Sequence, residues 1–311
     1  MQGQGVCPHC GDAMKPIKMP FDSSWGGETH LICFNDDCCY FVGSWDALEQ
    51  QGVEKTGYRC RMDPRGCSGP APVWSKSALK DMVVPEGKCE GDSLYHFSSD
   101  DLAREDETPD DEFYSKPRFV NHLDSLALST VEDLFGRLIP EGAHILDMMA
   151  GPESHLDKVK HHESVAGIGL NREELNHNNA LTEWVFHDLN ADPRIPFEDD
   201  QFDAAVNTVS VDYLARPVEV FRETARVLKP GGLFIVVFSN RMFPPKAINM
   251  WKEMSEKQRV DLVRRYFTLS DRFRIEGYFE STGKPRPKDD KYYDLGIPSD
   301  PIYAVWGKTI N

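Results

Sequence analysis

Short apolar runs alternate with longer segments of helical periodicity between residues 145 and 240. Each run is followed by small or polar residues, and the runs begin at Ile145, Val165, Trp184, Phe202 and Leu233. Apolar runs of this length, separated by amphipathic segments, are typical of parallel strands that helices cover on both faces. Ligands bind such sheets at the carboxyl ends of the strands, so we expect the functional site in the loops that follow these runs.

Further elements are predicted on either side of this region. Apolar residues recur at helical spacing between Leu123 and Leu138, which predicts an amphipathic helix ahead of the first strand. Ser255 and Gln258 have the spacing of a capping box and predict the start of a second helix. Two more strands are expected over residues 272–279 and 302–308. The whole region is therefore of the α/β class.

The charge balance restricts the partners of the protein. The 311 residues carry a formal net charge of −16, which disfavours a general nucleic-acid surface because phosphate binding needs clustered Lys and Arg. No apolar segment follows Met1, so no secretory signal is apparent. The longest strongly apolar run, 233–238, is too short to cross a bilayer. We therefore expect a cytoplasmic protein that does not bind membranes and for which nucleic acid is a disfavoured partner.

A block of acidic residues divides the chain. Between Asp100 and Glu112 there are eight acidic residues and one arginine, and such a block is typically a solvated connector. We therefore predict three segments: an amino-terminal module over residues 1–98, an acidic linker over 99–112, and an α/β domain over 113–311.

The amino-terminal module has two closely spaced pairs of cysteines. Cys7 and Cys10 form a C-x2-C pair, and Cys33 and Cys38 form a C-x4-C pair. A tetrahedral zinc site takes four such ligands from two tight turns. Cysteines in a chain without a secretory signal indicate metal binding rather than disulfide bonds. We predict structural Zn²⁺ bound by Cys7, Cys10, Cys33 and Cys38.

The remaining cysteines leave alternatives open. Cys39 competes with Cys38 for the fourth position; Cys38 is favoured because adjacent cysteines rarely both point at one metal, and because C-x4-C resembles the zinc ribbon of Ogr/Delta-like zinc fingers. Cys60 and Cys67 are either a further metal-binding pair or, like Cys89, free thiols. The alternative for the whole set, unpaired surface thiols, leaves unexplained how a segment with few large aliphatic residues would fold.

Two motifs in the α/β region carry a resemblance to a known family. Residues 202–206 are Phe-Asp-Ala-Ala-Val, and a helical segment over 223–229 runs into Pro230-Gly231-Gly232 and the last parallel strand. The region from about residue 113 to the end resembles class I S-adenosylmethionine-dependent methyltransferases of the UbiE-like, or type 11, group. The resemblance implies a Rossmann-like, mostly parallel sheet with an antiparallel last strand, and S-adenosylmethionine as cofactor.

The resemblance also implies contacts with that cofactor. The family has an acid at the end of the first strand, here Asp147, and a glycine-rich loop after it, of which Gly151 is the matching glycine. The family's ribose-binding acid at the end of the second strand is replaced by Gly169. Asn171 is then the predicted ribose contact, with Arg172 and Glu173 as alternatives. The full set of implied contacts is Tyr114, Arg118, Asp147, Gly151, Asn171, Asp188, Leu189 and Asn207.

Individual roles are expected for some of these residues. Asp188 and Leu189 follow the third strand, where the family binds the adenine ring. Arg118, just ahead of the first strand, either pairs with a carboxylate of the cofactor or is a surface arginine beside a packing Tyr114. After the fourth strand, Asp212 is a candidate general base and Tyr213 a positioning group. The alternative is that Asp212 caps the next helix and Tyr213 packs beneath it.

Three functions follow from these patterns. The first is a methyltransferase that uses S-adenosylmethionine and acts on an unidentified small-molecule substrate. The second is a non-catalytic scaffold that keeps the methyltransferase shape and binds a protein partner through its zinc ribbon. The third, a zinc-ribbon enzyme that modifies nucleic acid, is disfavoured by the acidic charge. Four histidines show no ligand spacing and are interpreted as loop or surface residues: His155, His161, His162 and His177.

Overall fold

The chain divides into two compact units. The computed structural model describes residues 5–18, 28–50, 57–64, 67–73, 75, 79, 97 and 99–310, and the units comprise residues 1–96 and 97–311. The boundary lies close to the predicted end of the amino-terminal module. Cys89 lies outside the described residues.

In the part of the first unit that the structure describes, an antiparallel sheet is accompanied by one helix. Its strands pair in the order β1-β2-β3-β4. Their bounds are β1 Lys15–Lys18, β2 Thr29–Ile32, β3 Gly57–Met62 and β4 Ser68–Val73, and the helix α1 is Cys39–Gln50. Cys7, Cys33 and Cys38 are each only 1% exposed and form a core cluster with Phe41. Cysteines thus supply much of the interior of this unit.

The second unit is built on a seven-stranded sheet. Its strands are β5 Ala143–Met148, β6 His162–Gly169, β7 Glu183–Phe186, β8 Phe202–Thr208, β9 Leu228–Phe238, β10 Phe273–Ser281 and β11 Ile302–Thr309. They pair in the order β10-β11-β9-β8-β5-β6-β7. The five strands from β9 to β7 are parallel, and β11 is antiparallel to both of its neighbours. The predicted α/β fold class, including the antiparallel strand, is confirmed.

Helices cover this sheet. Their bounds are α2 Ser99–Leu102, α3 Asp110–Phe113, α4 Ser125–Leu138, α5 Arg172–His177, α6 Pro217–Val227, α7 Asn249–Glu253 and α8 Glu256–Ser270. The Asp124 side chain caps α4 by accepting hydrogen bonds from the backbone of Leu126 and Ala127. The capping box predicted at Ser255 and Gln258 is present at the start of α8. None of the described helices combines the length and apolar character needed to span a membrane.

The order of the strands determines where a ligand can bind. The chain runs from β5 outward to β7, then crosses back to add β8 on the other side of β5. In open α/β sheets the crevice for a ligand lies beyond the carboxyl ends of the strands at this reversal. The strands there are held by a dry core in which Ile145, Val206 and Ile235 are 0% exposed.

The acidic segment differs from the expected solvated connector, because it is attached to the second unit. Arg104 forms a backbone bridge with Ile248, and the backbone of Asn249 donates to Ala103 O at 2.8 Å. Asp110 is only 4% exposed. A count of charges along the sequence cannot reveal this, because the cations that neutralise Asp110 include Lys246, far along the chain.

Candidate functional site

A cavity of about 470 Å³ opens at the carboxyl ends of β5 to β8. Its volume lies within the range of roughly 300–1,000 Å³ that is usual for small-molecule sites. Of the residues predicted from the sequence, the structure brings eight to its wall: Tyr114, Arg118, Asp147, Gly151, Asn171, Asp188, Leu189 and Tyr213. Asn207 and Asp212 do not line it.

Asp147 ends β5 with its carboxyl group buried on the cavity wall. The residue is 4% exposed, and its Oδ2 atom accepts no hydrogen bond from the part of the chain that the structure describes. Burial raises the pKa of Asp147 to about 7, although a hydrogen bond with Ser154 opposes the shift. A buried carboxyl oxygen without a partner costs free energy in the ligand-free protein, so it is well suited to accept a donor from a ligand.

The loop after β5 explains the glycine at the end of β6. Met149 takes a left-handed backbone with φ of 58°, and the next amide, Ala150 N, donates to Ile168 O at 2.6 Å. This turn brings Ala150 O over the end of β6, where a Cβ on Gly169 would lie 2.5 Å from it. A side chain at residue 169 would therefore clash with backbone. The absence of an acid there follows from packing.

Asn171 has a different role from the predicted ribose contact. Its Oδ1 caps α5 by accepting from the amides of Glu173 and Glu174 at 3.0 and 3.1 Å. Its Nδ2 donates to Tyr114 O at 2.9 Å and to Ser115 O at 3.2 Å. Two donors and two acceptor sites are all that an amide side chain offers. Asn171 thus joins α5 to the segment around Tyr114, and its contact with the ribose stays a prediction that these four hydrogen bonds do not favour.

Glu174 lies on the cavity wall in the first turn of α5. No pattern in the sequence indicated it as a site residue. Its Oε1 accepts the backbone amide of Arg118 at 2.6 Å. Burial raises the pKa of Glu174, and the hydrogen bond and charge of Arg118 oppose that shift. The only signal in the sequence is its position three residues after the helix cap, which by itself indicates a helix terminus and no ligand.

Residues 114–123, here called the cover segment, close one side of the cavity. The Tyr114 hydroxyl is buried and has no hydrogen-bond partner among the described residues. The Arg118 guanidinium lies against the rings of Phe113 and Phe243, at 5.0 and 5.2 Å from their centroids. It also donates to Phe113 O at 3.2 Å. Arg118 therefore holds an aromatic cluster together at the cavity wall.

Asp188 and Leu189 follow β7 in a loop that is fixed by hydrogen bonds. Asp188 Oδ1 accepts the amides of Asn190 and Ala191 at 2.8 and 3.3 Å. The Asn190 side chain donates to Asp110 Oδ2 at 2.8 Å and to Tyr213 O at 2.9 Å. Asp188 Oδ2 makes no hydrogen bond to any residue in the described ranges. The loop presents this oxygen to the cavity without needing to move.

The end of β8 presents hydroxyl groups rather than the predicted amide. Asn207 is 1% exposed, and its Nδ2 donates to Met148 O at 3.4 Å behind the wall. Its side chain lies between β5 and β8 and does not line the cavity, so its contact with the cofactor stays a prediction. Thr208 and Ser210 line the cavity instead, and their hydroxyl oxygens lack partners within the described chain. Between them Val209 has a φ of 45°, a strained conformation for a β-branched residue.

Asp212 lies behind the cavity wall, and its role as a general base stays a prediction. It is 2% exposed, and burial raises its pKa to about 8 while the charge of Arg259 opposes the shift. Tyr213 does line the cavity. Its hydroxyl accepts the Phe243 amide at 2.8 Å, and its ring stacks on that of Phe243 with centroids 6.2 Å apart. Tyr213 is therefore placed to position a ligand, and Asp212 is not.

Two histidines interpreted as surface residues also lie on the wall. His155 and His177 line the cavity together with His122 and His187. The His155 side chain is 16% exposed, and burial lowers its pKa. Its backbone is left-handed, with φ of 56°. Only the turn of the loop after β5 directs it inward, so residue spacing could not have found it.

Asp110 connects the acidic segment to the cavity. Arg104 donates to both of its oxygens at 2.8 Å, and Lys246 Nζ lies 3.0 Å away. Desolvation would raise the pKa of Asp110, but hydrogen bonds from Asn190, Arg104 and Lys246 outweigh it and hold the pKa below its ordinary value. This network of buried charges fixes the position of Asp110 in the cavity wall.

The first unit brings the four predicted metal ligands together. The sulfur atoms of Cys7, Cys10, Cys33 and Cys38 all lie within 4.8 Å of one another. Cys7 and Cys38 are 3.9 Å apart, and Cys10 and Cys33 are 3.6 Å apart. Zn–S bonds of about 2.3 Å place the sulfurs of a tetrahedron about 3.8 Å apart. The cluster therefore has the dimensions of a zinc site.

Local turns build this cluster and exclude Cys39. The Cys7 carbonyl accepts Gly11 N at 2.8 Å, and Gly11 has the left-handed φ of 76° that such a turn needs. Cys39 is exposed and donates to His9 O at 3.5 Å. Cys60 is buried beside the cluster and Cys67 is exposed, so these two do not form a second pair.

Comparison with known proteins identifies the region around the cavity. Residues 146–236 match the sequence profile of a methyltransferase domain family. The ubiquinone/menaquinone biosynthesis C-methyltransferase UbiE of Bartonella quintana is 32% identical over 102 residues, which are 32% of this chain and 38% of that protein. The biotin biosynthesis bifunctional protein BioHC of Teredinibacter turnerae is 31% identical over 96 residues, which are 30% of this chain and 14% of that protein.

The similarity is restricted to part of each protein. The chain spans 38% and 14% of the length of these two relatives. Among solved structures, a SAM-dependent methyltransferase from Aquifex aeolicus is 17% identical, with a TM-score of 0.40, and covers 65% of this chain and 97% of its own. Every strand from β5 to β8, together with the loops that follow them, lies within or next to the matched residues.

Proposed function

We propose that this chain is a class I methyltransferase whose second unit transfers the methyl group of S-adenosylmethionine to a small-molecule acceptor. The observation that carries the proposal is the cavity at the carboxyl ends of β5 to β8, in and around the segment that matches the family. Its wall contains a buried carboxyl group, that of Asp147, with an oxygen that no described residue satisfies.

The unsatisfied polar atoms of the wall fit such a ligand. S-adenosylmethionine supplies an electrophilic methyl group on a cationic sulfonium, next to an ammonium group and a nucleoside. Asp147 and the hydroxyls of Tyr114, Thr208 and Ser210 are buried on the wall without partners in the described chain. Buried polar atoms normally have partners, so this cluster indicates a polar, donor-rich ligand.

We assign separate parts of that ligand to separate residues. Asp147 would accept hydrogen bonds from its ammonium group, and a cation at this place would return the Asp147 pKa toward the ordinary value of a carboxyl group. Asp188 would use Oδ2 to accept from an exocyclic amine, since Oδ1 is already occupied by the loop's own amides. Gly151, which has no side chain, leaves room beside Glu174 for close approach of the backbone.

The acceptor molecule would enter beside the cover segment. Phe119 and Val120 are 52% and 57% exposed at the cavity wall, next to Met242 and Phe243. An apolar and aromatic mouth of this kind suits a small molecule with an apolar or aromatic body. Methyl transfer requires mainly alignment of the nucleophile with the methyl group. His155, neutral at physiological pH because burial lowers its pKa, is available to take a proton.

We further propose that Cys7, Cys10, Cys33 and Cys38 hold structural Zn²⁺ in the first unit. The sulfur distances support this, as does a core in which cysteines take the place of large aliphatic residues. Four thiolate ligands require reduced cysteines, so the proposal includes a reducing compartment such as the cytoplasm. The surface of this unit is then available to a protein partner.

Isothermal titration of the zinc-loaded protein with S-adenosylmethionine and S-adenosylhomocysteine tests the proposal. We expect a dissociation constant on the order of micromolar for the native protein. Asp188→Ala should weaken binding at least about tenfold, because it removes a charged acceptor worth about 1.5–3 kcal/mol. The matched control is Asp192→Ala, in the same loop but off the cavity wall. Absence of binding to the folded native protein would refute the proposal.

A further inference from the structure

We propose that Glu174 is a two-sided clamp: one carboxylate oxygen accepts the vicinal hydroxyl groups of a bound nucleoside, while the other holds the cover segment closed. The inference rests on the proposed function, and it assigns a part of the ligand to a residue that the sequence patterns did not indicate. It also links ligand binding to the position of residues 114–118.

The two oxygens of Glu174 have different surroundings. Oε1 accepts the backbone amide of Arg118 at 2.6 Å. Oε2 makes no hydrogen bond to any part of the chain that the structure describes, and it lies 3.8 Å from where a Cβ on Gly151 would be. The carboxylate is therefore held in place by one oxygen and offers the other to the cavity. A carboxylate in this arrangement accepts hydroxyl donors without reorganisation.

The neighbouring strand end cannot provide such an acceptor. A Cβ on Gly169 would lie 2.5 Å from Ala150 O and 3.0 Å from Leu175 Cδ2. Because backbone blocks one side of this position, an acidic side chain cannot project from it. The first turn of α5 lies directly after this strand end, so the nearest carboxylate that reaches the same wall is Glu174.

The other polar residues at the start of α5 do not offer a free acceptor to the cavity. Asn171 uses its whole amide in capping the helix and holding Tyr114 and Ser115. The Arg172 guanidinium stacks on Phe186, 4.7 Å from its ring centroid. Glu173 is exposed and does not line the cavity. Glu174 is thus the one acid of this helix on the wall.

The clamp makes the cover segment sensitive to the ligand. Asn171 holds the carbonyls of Tyr114 and Ser115, and Glu174 holds the amide of Arg118, so α5 alone contacts three residues of the segment. A ligand hydroxyl that binds Oε2 favours the ionised, fixed carboxylate, which in turn strengthens the bond from Arg118. Nucleoside binding and closure of the segment should therefore be coupled.

The test uses paired ligands and paired variants. The ligands are S-adenosylhomocysteine and its 2′-deoxy form, titrated into the zinc-loaded native protein, Glu174→Gln and Glu173→Gln. Glutamine keeps an oxygen for the Arg118 amide but replaces the second oxygen by a donor, so the fold should be retained; thermal unfolding checks this. Glu173→Gln makes the same change of charge one residue away, at an exposed position.

We expect the native protein and Glu173→Gln to bind S-adenosylhomocysteine about 10- to 100-fold more tightly than the 2′-deoxy form. In Glu174→Gln this ratio should fall to about threefold or less. Hydrogen exchange of the Arg118 amide should slow on binding of S-adenosylhomocysteine to the native protein, and less with the 2′-deoxy form.

Equal binding of both ligands by the native protein would overturn the clamp, and so would a Glu174→Gln variant that keeps the native ratio. In both cases S-adenosylhomocysteine still binds, so the proposed function stands. A folded native protein that binds neither ligand would overturn the proposed function and the clamp together.

Discussion

At the scale of single residues, the site is distinguished by acids whose surroundings favour the neutral form. Burial raises the pKa of Asp147 to about 7 and that of Asp212 to about 8. The two pKa shifts have different consequences for ligand binding, because Asp147 faces the cavity and Asp212 lies behind its wall. A ligand cation can reverse the first shift and cannot reach the second.

We predict that Asp147→Asn stabilises the ligand-free protein while it weakens binding of S-adenosylmethionine. An acid whose pKa is raised by folding resists ionisation in the native state, so stability falls as pH rises from about 4 to about 7 and then stays level. Asparagine has no acidic proton, so the stability of the variant does not fall over this pH range for that reason. Its gain in unfolding free energy should be close to zero at pH 4 and on the order of 4 kcal/mol at pH 8, measured by urea denaturation.

The control for this prediction is Asp203→Asn, which should behave with the opposite sign. Desolvation tends to raise the pKa of Asp203, but the hydrogen bonds from Lys229 and from the His144 amide outweigh it and lower the pKa. Its stabilising effect is present above the unfolded pKa and is lost as the pH falls, so the variant should be less stable at pH 7. A stabilised Asp203→Asn or a destabilised Asp147→Asn would contradict the assignment of the two environments.

At the scale of elements, the acidic segment of residues 100–112 is bonded to the rest of the second unit and is not a free linker; we call this segment the strap. Its charge is compensated from within the second unit, above all by Lys246, which is 0% exposed and lies 3.0 Å from Asp110. Lys246 also donates to Thr108 O. The strap meets the cavity through Asp110 and reaches the loop of Asp188 through Asn190.

Lys246→Met should therefore destabilise the second unit strongly. Removing one partner of a buried charge network costs about 3–5 kcal/mol, because the remaining charges stay buried. The matched control is Lys252→Met, which breaks a contact of 3.9 Å with the exposed Glu105 and should change stability by less than about 1 kcal/mol. Urea denaturation of both variants measures the difference, and equal effects would show that the strap is a surface feature.

At the scale of the whole molecule, two units have different sources of stability. The second has a large apolar core between sheet and helices, whereas the first is small and has cysteines at its centre. A unit with so few large aliphatic residues in its core gains folding free energy from a bound metal, which fits the proposed zinc site.

Removal of zinc should accordingly unfold the first unit and leave the second folded. Treatment with a strong chelator, or the variant Cys10→Ser, should release one equivalent of Zn²⁺ per chain as measured by mass spectrometry of the metal. Binding of S-adenosylhomocysteine should persist within about threefold, because all of its predicted contacts lie in the second unit. Cys67→Ser, outside the cluster, should keep the metal; a loss as large as that in Cys10→Ser would contradict the site.

Three features could be predicted from the residue pattern alone: the parallel sheet, the loops that follow its strands, and the grouping of four cysteines. These depend on patterns along the chain: apolar runs, turn residues and ligand spacing are local properties, and local forces act on them directly. Asp147, Gly151, Asp188 and Leu189 were predicted in this way, because each lies at the end of a strand or in the loop after it, and all four line the cavity. Which polar atoms remain free for a ligand depends instead on the tertiary structure. The Asn171 amide is occupied by Tyr114 and Ser115, 57 and 56 residues earlier in the chain, and Ala150 O excludes any side chain at Gly169. Groups that are far apart in the chain compete for the same hydrogen bonds and the same space, and this competition leaves no periodic pattern in the sequence.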